Sequence, residues 1–139
     1  MNSDRLVLVC VTAQKSSQGL VKAGKRIADG SKASLEVVSV LPISDEDNKI
    51  DTDIIEKLHQ LSKSCGGNMA VYFSDDPILT VSAHIAKRKP LTIVTGFPGE
   101  NSNNFINLIH SLFPNITISM VDKEETVYNM VPRKTLCHV

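Results

Sequence analysis

Short apolar runs alternate with amphipathic helical stretches along this chain, strand then helix four times before a final strand. The first run, Leu6-Val7-Leu8-Val9-Cys10-Val11, is continuous and rich in β-branched side chains. A strand can be apolar at every position when both its faces are buried, as in a parallel sheet covered by helices. The period then changes. Leu20, Ala23, Gly24, Ile27 and Ala28 recur at helical spacing, with Lys22, Lys25 and Arg26 on the other side. Ser16 or Ser17 suits the N-cap, Gly24 suits close packing of helix on sheet, and Gly30 suits the helix end.

The pattern repeats. Leu35 to Leu41 reads as a second strand stopped by Pro42, and Ser44 to Lys49 as a loop. Ile54, Leu58, Leu61 and Cys65 stripe a second helix ended by Gly66-Gly67, and Met69 to Phe73 form a third strand. Asp76-Pro77 marks the next helix start, with the aspartate as cap and proline where its missing N–H is not needed. Ile78, Val81 and Ile85 face inward until Lys89-Pro90, because proline disfavours helix in the residue before it. Leu91 to Thr95 is the fourth strand. Phe105, Leu108, Ile109 and Leu112 stripe a fourth helix, Pro114-Asn115 breaks it, and Ile116 to Val121 is the fifth strand. Residues 123–139 show no clear period. The expectation is one domain over residues 1–122 and a C-terminal tail over 123–139.

Such alternation implies βαβ units with right-handed crossovers, hence a three-layer α/β/α sandwich around a five-stranded parallel sheet. Ligands of such sheets bind beyond the carboxyl ends of the strands, where the strand order reverses. That places interest on the loops after the first and fourth strands, Thr12-Ala13-Gln14-Lys15 and Gly96 to Ser102. Gly96 and Gly99 allow close backbone approach. Asn101, Ser102 and Asn103 stand at a helix N-terminus, where free N–H groups and the helix dipole favour an anion such as phosphate. An ordinary β–α turn would use the same residue types, and the sequence leaves both readings open.

Much else is excluded. Fifteen basic residues balance fifteen acidic ones, against a dedicated nucleic-acid binder. Cys10, Cys65 and Cys137 are odd in number and widely spaced, which fits reduced thiols in the cytoplasm. No run reaches the length of a signal core or a membrane span, so membrane insertion is not expected. There is no G-x-G-x-x-G, no G-x-x-x-x-G-K-[ST] and no G-x-S-x-G, and the first strand ends in Thr12-Ala13-Gln14 without the carboxylate of a receiver domain. His59, His84 and His110 read as surface or boundary residues. Cys137-His138 supplies two of the four ligands a structural zinc needs, so no metal site is expected. Cys10 reads as a small core hydrophobe and Asp75-Asp76 as a helix cap rather than an acid pair. No catalytic constellation remains, and the chain is expected not to be an enzyme.

Taken together, the residues resemble a family. The strand Leu6 to Thr12, its short polar loop and Gly24-x-x-Ile27-Ala28 look like the opening of universal stress protein domains, most of all the variant in KdpD-type potassium-sensing histidine kinases. Leu35 to Val40 falls where that family's second strand does, Ser74-Asp75-Asp76-Pro77 where its third helix starts, and Ile93 to Gly99 resembles its fourth strand and glycine loop. The resemblance spans roughly residues 5 to 122 and implies a universal-stress-protein/adenine-nucleotide-hydrolase-like sheet of strand order 3-2-1-4-5. It also implies ATP or another adenine nucleotide as ligand, with adenine near Thr12, Ala13 and Val40 and phosphates near Gly96, Gly99 and Ser102.

The phosphate loop departs from the family pattern. Members that bind ATP follow G-x-x-G nine residues later with glycine and serine or threonine. Here Gly96-x-x-Gly99 leads at that distance to Ile109 and His110, so Asn101-Ser102 would stand in. The aspartate those members carry after the first strand is replaced by Ala13 and Gln14, and the S-x-S and F-T-A-x-Y cyclic-di-AMP motif is absent. The expected function is therefore a non-catalytic binding or signalling module with a degenerate phosphate loop. The alternative is a ligand-free homodimerisation or docking domain, pairing through the edge strand that carries Ile116, Ile118 and Met120. A nucleotide hydrolase or transferase on the same fold would need an S-G-G-x-D-S-like loop that the chain lacks.

Overall fold

The computed structural model describes residues 5–11, 17–41, 43, 52–97 and 103–132. In chain order these form β1 (Leu6–Val11), α1 (Ser17–Ser31), β2 (Ser34–Leu41), α2 (Thr52–Ser64), β3 (Asn68–Phe73), α3 (Pro77–Arg88), β4 (Thr92–Gly96), α4 (Asn103–Leu112), β5 (Thr117–Val121) and β6 (Val127–Met130). They build one sheet of order β3-β2-β1-β4-β5-β6. The first five strands are parallel in the expected order 3-2-1-4-5, and β6 joins antiparallel to β5.

Alternate residues of the central strands feed two cores. Val7, Val9, Val37 and Val94 meet Val21, Ala23 and Ala28 of α1 and Leu58 of α2. Leu8, Val38, Ile93 and Ile118 meet Val81 and Ile85 of α3 and Ile106 and Ile109 of α4. Two apolar layers account for strands that are apolar throughout. Gly24 lies where α1 crosses β1, and a Cβ there would collide with Val9 Cγ2. Its role is packing, as the stripe position implies.

Three details differ from expectation. Helix α1 runs through Gly30, and the left-handed residue that closes it is Lys32 (φ 55°). The Ala33 N–H donates to Ala28 O (2.8 Å) and the Lys32 N–H to Asp29 O (3.3 Å), a paired C-terminal closure. Its place is set by β2, because the Ser34 N–H must reach Arg5 O (2.9 Å).

The sheet also has six strands rather than five, since residues 127–130 of the segment expected as a tail pair with β5. Asp122 organises that return. Its Oδ1 accepts from the N–H groups of Glu124 and Thr126, both at 2.9 Å, and Glu125 turns left-handed (φ 65°).

As a result β5 is an inner strand. Ile118 and Met120 offer no free strand edge, because they pair with Met130 and Tyr128 of β6, and Ile116 lies just before β5.

Candidate functional site

The crossover after β1 leads to α1 on one face of the sheet, and the crossover after β4 leads to α4 on the other. The two strands are neighbours whose crossovers go to opposite faces, so the strand order reverses between them, the switch point at which sheets of this kind bind ligands. Thr12, Ala13, Gly99, Asn101 and Ser102 belong to the flanking loops and lie outside the described residues.

Gly96 and Val40 are described. Gly96 ends β4 opposite Val121, on the face covered by α1. Its φ is not left-handed, and a Cβ would meet Leu20 Cδ1 at an ordinary 3.7 Å. What it contributes is bare backbone at the rim. Val40 is half-buried on the opposite face, with Cys10 and Tyr72. The two residues therefore share the carboxyl edge and face different layers.

Beside Val40 on β2 the structure adds a group that the sequence reading missed. Ser39 pairs in register with Val11 at the end of β1. It is 2% exposed, and its Oγ has no hydrogen-bond partner among the described residues. A buried hydroxyl left unpaired in this way is uncommon and calls for a water or ligand partner. Its sequence signal was a single serine inside the apolar run of β2.

Phe97, the residue that follows β4, is tied to β5 and β6. The Phe97 N–H donates to Val121 O (2.9 Å), and the Phe97 ring meets Tyr128 of β6 edge-on at 5.0 Å. The Tyr128 hydroxyl donates to Asp122 Oδ2 (3.3 Å), and the negative charge of Asp122 raises its pKa above the usual phenol value. Arg26 of α1 reaches Glu125 (3.1 Å) across the same corner, an exposed pair worth little by itself.

Cys10, near the end of β1, is partly buried against the second core. Loss of solvation pushes it up to about 12. Near pH 8 the thiolate fraction then falls about a thousandfold relative to an ordinary cysteine. Iodoacetamide should therefore leave Cys10 unmodified in the folded chain and label it in urea, as peptide mass mapping would show. Rapid native labelling would show that the thiol is not held protonated in the folded chain.

A second polar cluster lies under α3, and it overturns the surface reading of one histidine. His84 is 6% exposed and sits on the apolar stripe between Val81 and Ile85. Its Nε2 contacts Glu36 Oε1 at 2.9 Å, its Nδ1 contacts the Tyr72 hydroxyl at 2.7 Å, and Arg88 Nε donates to the same Glu36 oxygen at 3.1 Å. Glu36 breaks the apolar run of β2, which was the overlooked signal. His59 is exposed, as expected. Asp76 caps α3 by accepting from the Leu79 N–H (3.0 Å), and Asp75 Oδ1 accepts from the Ile43 N–H (2.9 Å), so neither acts in an acid pair. Among the described residues, no group of three or more His, Cys, Asp or Glu could hold a metal ion, and no helix is long and apolar enough to cross a membrane.

No protein-family model and no curated protein sequence matches the chain. Solved structures do. A universal stress protein in complex with cAMP is 16% identical with a TM-score of 0.59, over 86% of this chain and 97% of that one. A universal stress protein from Archaeoglobus fulgidus in complex with dAMP is 14% identical with a TM-score of 0.55, over 75% and 89%. A deacetylase of the teicoplanin biosynthetic pathway is 11% identical with a TM-score of 0.58, over 85% of this chain and 63% of that one. The sheet order, the two helical layers and these similarities together give the chain the fold of the universal stress proteins.

Proposed function

We propose that the chain is a cytoplasmic, universal-stress-protein-like signalling module, nearest in character to the domain of KdpD-type kinases. It binds an adenine nucleotide at the β1–β4 switch point without chemical turnover there. The observation that carries this reading is the unpaired Ser39 hydroxyl beside the end of β1, at the switch point where Gly96 leaves bare backbone on β4. Two proteins of the same fold hold cAMP and dAMP, which supports a nucleotide as the ligand class. In this reading adenine lies near Thr12, Ala13 and Val40, and phosphates near Gly96, Gly99, Asn101 and Ser102.

A second reading is ligand-free homodimerisation. It is supported by the outer edge of β6, unpaired among the described residues, where Tyr128 is 45% exposed and Val131, just past the strand, is 67% exposed.

Thermal melting with ATP, ADP, AMP, cAMP and cyclic di-AMP separates the two. At about 100 times its dissociation constant a ligand adds roughly 2.7 kcal/mol, and Ser102→Ala together with Gly99→Ala should remove that gain. If no nucleotide raises the melting temperature, the binding reading fails. A melting temperature that then climbs with protein concentration would support the dimer.

A further inference from the structure

Tyr72, His84 and Glu36 form a relay in which each member is placed by the next. Glu36 has a side chain only 10% exposed, and its Oε1 is met by both His84 Nε2 and Arg88 Nε. A carboxylate only accepts hydrogen bonds, so a neutral His84 ring carries its proton on Nε2 and keeps its Nδ1 lone pair free. That lone pair receives the Tyr72 O–H at 2.7 Å. A nucleophile bonded to a base, with the base oriented by a third group, is the arrangement that activates a weak hydroxyl.

The tyrosine also has a place for a reaction partner. An open groove of about 320 Å³ is lined by Tyr72, Leu79, Thr80, Ala83, His84 and Lys87. Leu79 and Ala83 give it apolar walls, and Lys87 gives it one positive charge.

From this geometry we infer that Tyr72 is an acyl acceptor, with His84 as its base, Glu36 as the positioning residue, and the groove as the seat of an activated ester with an apolar acyl group. In the step, Tyr72 Oη attacks the ester carbonyl carbon and its proton passes to His84 Nδ1. The carbonyl π pair moves onto oxygen, near the Lys87 ammonium. Collapse reforms the carbonyl and breaks the bond to the leaving alkoxide or phenoxide, which takes the proton from Nδ1. The products are an acyl ester of Tyr72 and a free alcohol or phenol, with no oxidant or metal required. This goes beyond the nucleotide reading and is independent of what occupies the β1–β4 switch point.

The chain carries its own control, because it has two tyrosines. Tyr128 is 45% exposed and its hydroxyl donates to Asp122, whose charge holds the proton on it. If the Tyr72 cluster only satisfied a buried carboxylate, Tyr72 would be the less reactive of the two.

The experiment treats the full chain with 4-nitrophenyl acetate, and separately with an arylsulfonyl fluoride, near neutral pH. Peptide mass mapping then locates the label. One group per chain is expected on Tyr72, ahead of Tyr128, with a matching release of 4-nitrophenol. His84→Gln can still donate to Glu36 and should slow labelling about a hundredfold. Tyr72→Phe should abolish both label and release, with circular dichroism reporting that it folds. Label on Tyr128 or on lysines with Tyr72 untouched, no label at all, or an unchanged rate in His84→Gln overturns the proposal. Mapping on the unmodified chain decides even if a variant does not fold.

Discussion

His84→Leu will lower stability by about 3–5 kcal/mol in a urea titration, and Glu36→Leu by less, about 1–3 kcal/mol. The asymmetry follows from what each change leaves behind. Without His84, the Glu36 carboxylate stays buried with Arg88 as its remaining partner, and the Arg88 side chain is itself 43% exposed. The Tyr72 hydroxyl also loses its acceptor. Without Glu36, Arg88 turns to water, and His84 retains one unpaired N–H on a ring that can stay neutral. The new leucine meanwhile joins an apolar face beside Leu8 and Val38. The double variant should lose less than the sum of the two, because both act on one network. Equal losses, or a larger loss from Glu36→Leu, would show that the carboxylate charge is not what the histidine is there to hold.

The second large effect concerns α2. Leu58 is fully buried, and the other buried residue of that helix, Ser62, donates its hydroxyl to Leu58 O of its own helix (2.7 Å). The helix therefore depends on Leu58 for its deepest contact with the sheet, with Ile54, Leu61 and Cys65 packed partly around it. Leu58→Ala should remove about 2–5 kcal/mol through lost burial and the cavity left behind. Hydrogen exchange over residues 52–64 should accelerate before that of β1 or β4, since the loss falls on one peripheral element. Leu112→Ala, at a position 56% exposed on α4, should stay within about 0.5 kcal/mol. Unchanged exchange in α2 would mean that the partly buried residues hold it without Leu58.

The sheet was legible because its physics is periodic. Continuous apolar runs such as Leu6–Val11 need two covering layers, and helical stripes such as Phe105 to Leu112 supply them. The switch point between β1 and β4 followed from the same alternation. β6 was not legible: Val127-Tyr128-Asn129-Met130 is four residues long, paired on one side only, and its partner and the turn that returns it are set by β5 and the Asp122 side chain. Nor was the Glu36–His84 pair. The two residues are far apart in sequence, and a single glutamate in an apolar run looks like an interruption until the histidine across the sheet face is in place. Lys32 rather than Gly30 closes α1 for a similar reason. The position of a helix end answers to where the next strand must pair, which local propensity does not encode.

The short antiparallel β6 also decides how far the sheet can grow. A parallel sheet ending at β5 would present the backbone of residues 117–121 as a template for any extended chain. The hairpin at Asp122 fills that row from within and leaves outward only the four positions of Val127–Met130. The chain thus covers the β5 row itself and shortens the edge that a further strand could join. Truncation after residue 122 would remove that guard while leaving both cores almost whole, so the shortened protein would be lost to self-association rather than to unfolding.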